Sequence, residues 1–130
     1  MNTVERWVEQ ANYDLDTARA MRSSGRFLYV IFCCQQAVEK ALKAIIVKQT
    51  HDFPPRLHNL LRLAEIAGIT MDPDRERFLG ELSGYYIQTR YPEEIESLGK
   101  NLLREIAGEE LGLYGVSARL GWHIKVGRIA

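Results

Sequence analysis

Phe27, Ile31, Cys34, Val38, Ala41 and Ile45 recur at steps of four and three through one uninterrupted stretch, which commits the middle of the chain to an α-helix with a heptad-like apolar seam. A second row, Val30, Cys33, Ala37 and Ala44, widens that seam. A stripe so wide belongs to a central helix touched by several others. The spacing predicts a helix from about Phe27 to about Gln49, with Gln35, Gln36, Glu39, Lys40 and Lys43 filling the remaining sector.

Helical spacing extends to both sides. Val4, Trp7, Val8, Ala11, Leu15 and Ala18 mark a first helix ending near Gly25, with Asn2 and Glu5 placed as a capping box. Asp14 shares the side of Trp7, Ala11 and Ala18, so it sits at the core's edge or faces a partner surface. Pro54 and Pro55 enforce a loop, after which a short third helix carries Leu57, Leu60, Leu61, Leu63 and Ala64 and stops at Gly68. Asp72-Pro73 is a start signal for a fourth helix, whose buried side is Phe78, Leu79, Leu82, Tyr85 and Tyr86. Pro92 resets the chain, and a fifth helix follows with Ile95, Leu98, Leu102, Leu103 and Ile106. No segment alternates in the manner of a strand. The expectation is an all-α, up-and-down antiparallel bundle of four to five helices with short connections.

At 130 residues, 46% hydrophobic and 26% charged, the chain reads as a single domain over residues 1–130. Six of the ten glycines fall from Gly99 onward, so the last ~20 residues are expected to be irregular. Lys plus Arg (17) balance Asp plus Glu (17), which leaves no net field to draw the chain onto nucleic acid. Any such site must be a local patch. The sequence holds no apolar run of membrane-spanning length and no signal-peptide pattern at Met1–Glu5. Adjacent Cys33 and Cys34 point about 100° apart on a helix, which disfavours a disulfide between them. Reduced, partly buried thiols in a cytoplasmic protein are the expectation.

Several chemistries are excluded by spacing. His51, His58 and His123 are scattered, and neither HExxH nor CxxC occurs, so no metal site is expected. Phosphate-cradling glycine loops and the GxSxG elbow are absent too, and no cofactor is implied. Two constellations remain. In Gln35–Lys43, Glu39 and Lys43 form an i,i+4 pair that reads either as a site or as a solvated helix face. In Tyr85–Pro92, Arg90 among Tyr85, Tyr86 and Tyr91 reads either as a phosphate or carboxylate clamp or as a structural cluster capping the preceding helix. His58, at the start of the third helix, reads first as a loop-packing histidine.

Asp14-Leu15, Gln-Gln-Ala-x-Glu-Lys-Ala-Leu-Lys at 35–43, His58-x-Leu60 and Tyr-Tyr-x-x-x-Arg-Tyr-Pro at 85–92 together resemble the HEPN domain family of bacteria and archaea, over about residues 3–107. The resemblance implies a homodimer in which the arginines of two subunits approach one cleft. It further implies a partner, a minimal nucleotidyltransferase, in a toxin–antitoxin-like pair, and either metal-independent RNase activity or binding of nucleotide or RNA. RNase members resemble one another in an Arg-x(4–6)-His motif. Here Arg90 matches the arginine, whereas Ile95, Glu96 and Ser97 occupy the histidine positions.

The sequence therefore points to a non-catalytic module that binds nucleotide or RNA phosphate in a dimer cleft. Arg90, Tyr91, Tyr86, Lys40 and Lys43 are the ligand-binding residues, and Asp14 and Glu39 position Arg90. No catalytic residue is assigned. The alternatives are an RNase toxin using Arg90 without the usual histidine, and a ligand-free dimerisation scaffold.

Overall fold

The computed structural model describes residues 2–84 and residue 100, and places four helices there: α1 (Thr3–Ser23), α2 (Phe27–Thr50), α3 (Leu60–Ile66) and α4 (Pro73–Gly84). Among the described residues there is no strand. The fifth helix and irregular tail expected from the sequence lie outside the described residues, as do Tyr85, Tyr86, Arg90 and Tyr91.

Each helix begins and ends where its local chemistry dictates. Asn2 Oδ1 accepts from Glu5 N at 2.8 Å while Glu5 Oε2 accepts from Asn2 N at 3.3 Å, closing the capping box ahead of α1. Gly25, at φ 73°, turns the chain out of α1 in a left-handed conformation that costs glycine little. α2 ends on His51, also left-handed (φ 56°), whose N–H donates to Val47 O at 2.8 Å. Asn59 Oδ1 caps α3 by accepting from Arg62 N, and Asp72 Oδ1 accepts from Arg75 N at 2.8 Å to start α4 ahead of Pro73.

α1 and α2 pack antiparallel along their length, and α1 touches no other described helix. α2 contacts α1, α3 and α4, which makes it the central helix that its wide apolar stripe requires. Leu15, Val30, Ile31, Leu42, Ile45, Leu60, Leu63 and Leu82 are fully enclosed. Each such side chain contributes about 1.5–3 kcal/mol of transfer free energy. Two details depart from the sequence pattern. Phe27 opens the seam in sequence yet is exposed, its ring lying 5.1 Å beneath the Arg22 guanidinium. Next to it Leu28, Tyr29 and Phe32 are exposed as well, so the first turns of α2 present an apolar face outward.

Candidate functional site

Three of the polar residues of α2 face inward rather than into solvent. Gln35, Glu39 and Lys43, spaced four apart, are buried, because α2 is enclosed by helices on more than one side. Of the two readings of Gln35–Lys43, the solvated face fails for these three residues, while Gln36 and Lys40 stay partly exposed.

Glu39 is the centre of the arrangement. Its carboxylate, 7% exposed, holds two groups, Oε2 lying 3.3 Å from Lys43 Nζ and Oε1 lying 3.0 Å from His58 Nδ1. The Lys43 ammonium also lies 5.8 Å from the centroid of the Trp7 ring, so α1 contributes to its enclosure. Removal of one member of a buried pair strands the other charge, which is why both are fixed in place. His58 belongs to the connection before α3, and its side chain is 63% exposed, so it carries the buried charge network out to the surface. An ionised carboxylate accepts hydrogen bonds and cannot donate them. In this contact Nδ1 of His58 is therefore the donor and Glu39 Oε1 the acceptor.

A second ion pair links α1 to α2. Lys40 Nζ lies 2.7 Å from Asp14 Oδ2, an ion contact rather than a well-aligned hydrogen bond. Asp14 thus sits at the core's edge. Gln35, fully buried, donates from Nε2 to Ser83 O at 3.3 Å and so ties α2 to the end of α4. Ser83 Oγ accepts from Leu60 N at 3.0 Å, tying α4 to the start of α3.

Two grooves border these networks. One, of about 440 Å³, lies along α1 and is lined by Arg6, Glu9, Gln10, Tyr13, Asp14 and Lys40. The other, of about 410 Å³, lies where α3 meets α4 and is lined by His58, Asn59, Leu61, Gly80, Ser83 and Gly84. Lys40 reaches the first groove already paired with Asp14, whereas Lys43 is buried against Glu39 and lines neither. Asp14 and Glu39 have these lysines as partners, and Arg90, which they were expected to position, lies outside the described residues with Tyr86 and Tyr91. Sequence reasoning passed over Ser83 and read His58 first as a loop-packing histidine, without its tie to Glu39. The acid that holds His58 lies nineteen residues earlier, in the stretch that the pattern left open between a site and a solvated face.

Cys33 and Cys34 are free and buried. Burial raises the Cys33 thiol pKa above its ordinary range, and nearby Asp14 raises it further. Burial, then the neighbouring Cys33, pushes Cys34 up to about 12. Neither thiol is poised as a nucleophile. Among the described residues no three His, Cys, Asp or Glu side chains gather as metal ligands, and no helix is long and apolar enough to cross a membrane.

Comparison with known proteins gives one result. The family model of the HEPN domain matches residues 4–111, a span that takes in all four helices and the Tyr85–Pro92 segment. No curated protein and no solved structure matches. With the central α2, its Glu39–Lys43 pair and the His58 contact lying within that span, the chain belongs to the HEPN domain family.

Proposed function

We propose that the protein is a homodimeric, non-catalytic binding module that takes a nucleotide or RNA phosphate on Arg90, with Tyr86 and Tyr91 beside it, and docks a minimal nucleotidyltransferase in a toxin–antitoxin-like pair. The observation that carries this reading is the polar groove at the end of α4, lined by His58, Asn59 and Ser83, where His58 touches the buried Glu39–Lys43 pair and α4 ends at Gly84, six residues ahead of Arg90 in the chain. Arg90 supplies the planar fork of donors that a phosphate requires. Lys40 and Lys43, each neutralised by an acid of its own subunit, serve the site by fixing the helices that frame it. The exposed Leu28, Tyr29 and Phe32 on α2 support a surface that a second subunit covers. Free Cys33 and Cys34 fit a reducing, cytoplasmic setting.

Arg90→Ala tests the reading. Affinity for a labelled RNA or for ATP should fall at least tenfold, the loss of about 1.4 kcal/mol or more that a charge-assisted contact supports, while the helical circular-dichroism signal stays. Unchanged affinity removes Arg90 from the site. The Glu39–His58 contact favours a second reading, an RNase in which an oriented imidazole outside the family motif serves as proton acceptor. Incubation of RNA with the protein in chelator separates the two. Cleavage that depends on both Arg90 and His58 establishes the enzyme.

A further inference from the structure

Asn2, Arg6, Glu9, Gln10 and Tyr13 recur at helical spacing along the face of α1 turned away from its buried residues, and all are exposed. Among the described helices α1 packs on α2 alone, so no described element covers this face. Tyr13 stands 72% exposed, its ring in water together with its hydroxyl. The charges of the face are unspent. Lys40 and Asp14, in the groove beside it, neutralise each other, whereas Arg6 and Glu9 have no ion-pair partner among the described residues.

One open charge of each sign favours neither a phosphate nor a cation. It is matched by a surface that also carries one of each, in reverse order, and a second α1 supplies that surface. When two copies are related by a two-fold axis passing between residues 7 and 8, their α1 helices run antiparallel and present the same face to each other. Arg6 then faces Glu9 of the second copy while Glu9 faces its Arg6, so the ion pair is made twice. Gln10 meets Glu5, whose carboxylate can accept from the amide while it holds the capping box. Tyr13 meets Asn2, and its ring is covered by the first turn of the second helix. We propose that this face of α1 is a self-complementary docking surface whose partner is a second copy of the chain. A contact along one helix buries less than a stable interface requires, so it joins copies at raised concentration and is separate from the face at the start of α2. The inference goes beyond the binding reading above and draws nothing from it.

Charge exchange tests the pairing. Arg6→Glu leaves acids at both central positions of the face, and Glu9→Arg leaves bases at both. The full-length chain and the two variants are followed by sedimentation equilibrium from micromolar to submillimolar concentration, with circular dichroism to confirm equal helix content. The mass of the natural protein should double across the series. Each variant sets like charges opposite one another, and its association constant for this step should fall at least about tenfold. An equimolar mixture of the two variants restores opposite charges at both pairs and should regain the natural mass. Tyr13→Ser should weaken the same step without any change of charge. A natural mass that does not rise with concentration, or a rise that Arg6→Glu leaves as it is, overturns the proposal. So does a mixture no heavier than its components, which assigns the loss in the variants to something other than pairing between copies.

Discussion

Glu39 and His58 meet across nineteen residues of sequence, Oε1 to Nδ1 at 3.0 Å, and the acid is buried while the imidazole stands largely in solvent. The acid also holds Lys43, so a single carboxylate couples an enclosed cation on α2 to a surface ring on the connection that leads into α3.

Stability should reflect that asymmetry. Glu39→Ala leaves the Lys43 ammonium enclosed without its acid and should cost about 3 kcal/mol or more. Lys43→Met keeps an apolar stem against Trp7, leaves Glu39 its contact with His58, and should cost less. The double replacement Glu39→Met with Lys43→Met should recover much of the single-site loss, since no charge is then stranded. Urea unfolding followed by tryptophan fluorescence checks the set, and additive losses would show that the two side chains act independently.

The outward apolar face at the start of α2 should govern subunit association. Phe32→Glu places a charge among Leu28 and Tyr29 and should convert a dimer to a monomer with the helix content intact. Light scattering coupled to size exclusion reads the mass. A dimer that survives this substitution joins through another face.

Alkaline conditions should weaken the fold through its thiols. The folded Cys34 thiol titrates at about 12 and an ordinary thiol at 9.0. Between those values the unfolded chain has released the proton while the folded chain keeps it, so stability is complete below 9.0 and declines as pH rises. The decline from this group is about 1.4 kcal/mol per pH unit, and Cys33, shifted in the same direction, adds to it. Denaturant midpoints at about pH 8 and about pH 10 should differ in the natural protein and differ less in Cys34→Ala, where Cys33 alone remains; an undiminished difference in the variant would assign the effect to other groups.

Asn2→Ala removes the side-chain half of the capping box, the acceptor for Glu5 N, and should lower stability by about 1 kcal/mol, an effect absent in Gln10→Ala at an exposed position of the same helix. Thermal unfolding by circular dichroism measures both.

Much of this architecture is written locally. The 4-3-4 spacing from Phe27 gives α2 its length, Asn2 with Glu5 gives α1 its start, and Asp72-Pro73 gives α4 its start. Periodicity could not tell which polar residues of α2 face inward. Gln35, Glu39 and Lys43 are buried by the helices packed around α2, with Trp7 of α1 over Lys43, and their partners Ser83 and His58 lie across turns whose geometry the pattern does not encode. His51 is a further example. It ends α2 with positive φ where a glycine would have announced the stop. Arg90, Tyr91 and Tyr86 were legible only as a motif and lie outside the described residues.

The antiparallel pairing of α1 with α2 carries a kinetic consequence. Its two helices are joined by three residues, Ser24–Arg26, so their contacts close early and at small entropic cost, whereas α3 and α4 dock onto α2 across longer separations. Amide exchange should accordingly be slowest in α1 and α2 and faster in α3 and α4. The groove holding His58 then has one wall on helices that, among the described ones, assemble after the α1–α2 hairpin and loosen before it, so a ligand seated there should slow exchange in α3 and α4 while leaving the hairpin unchanged.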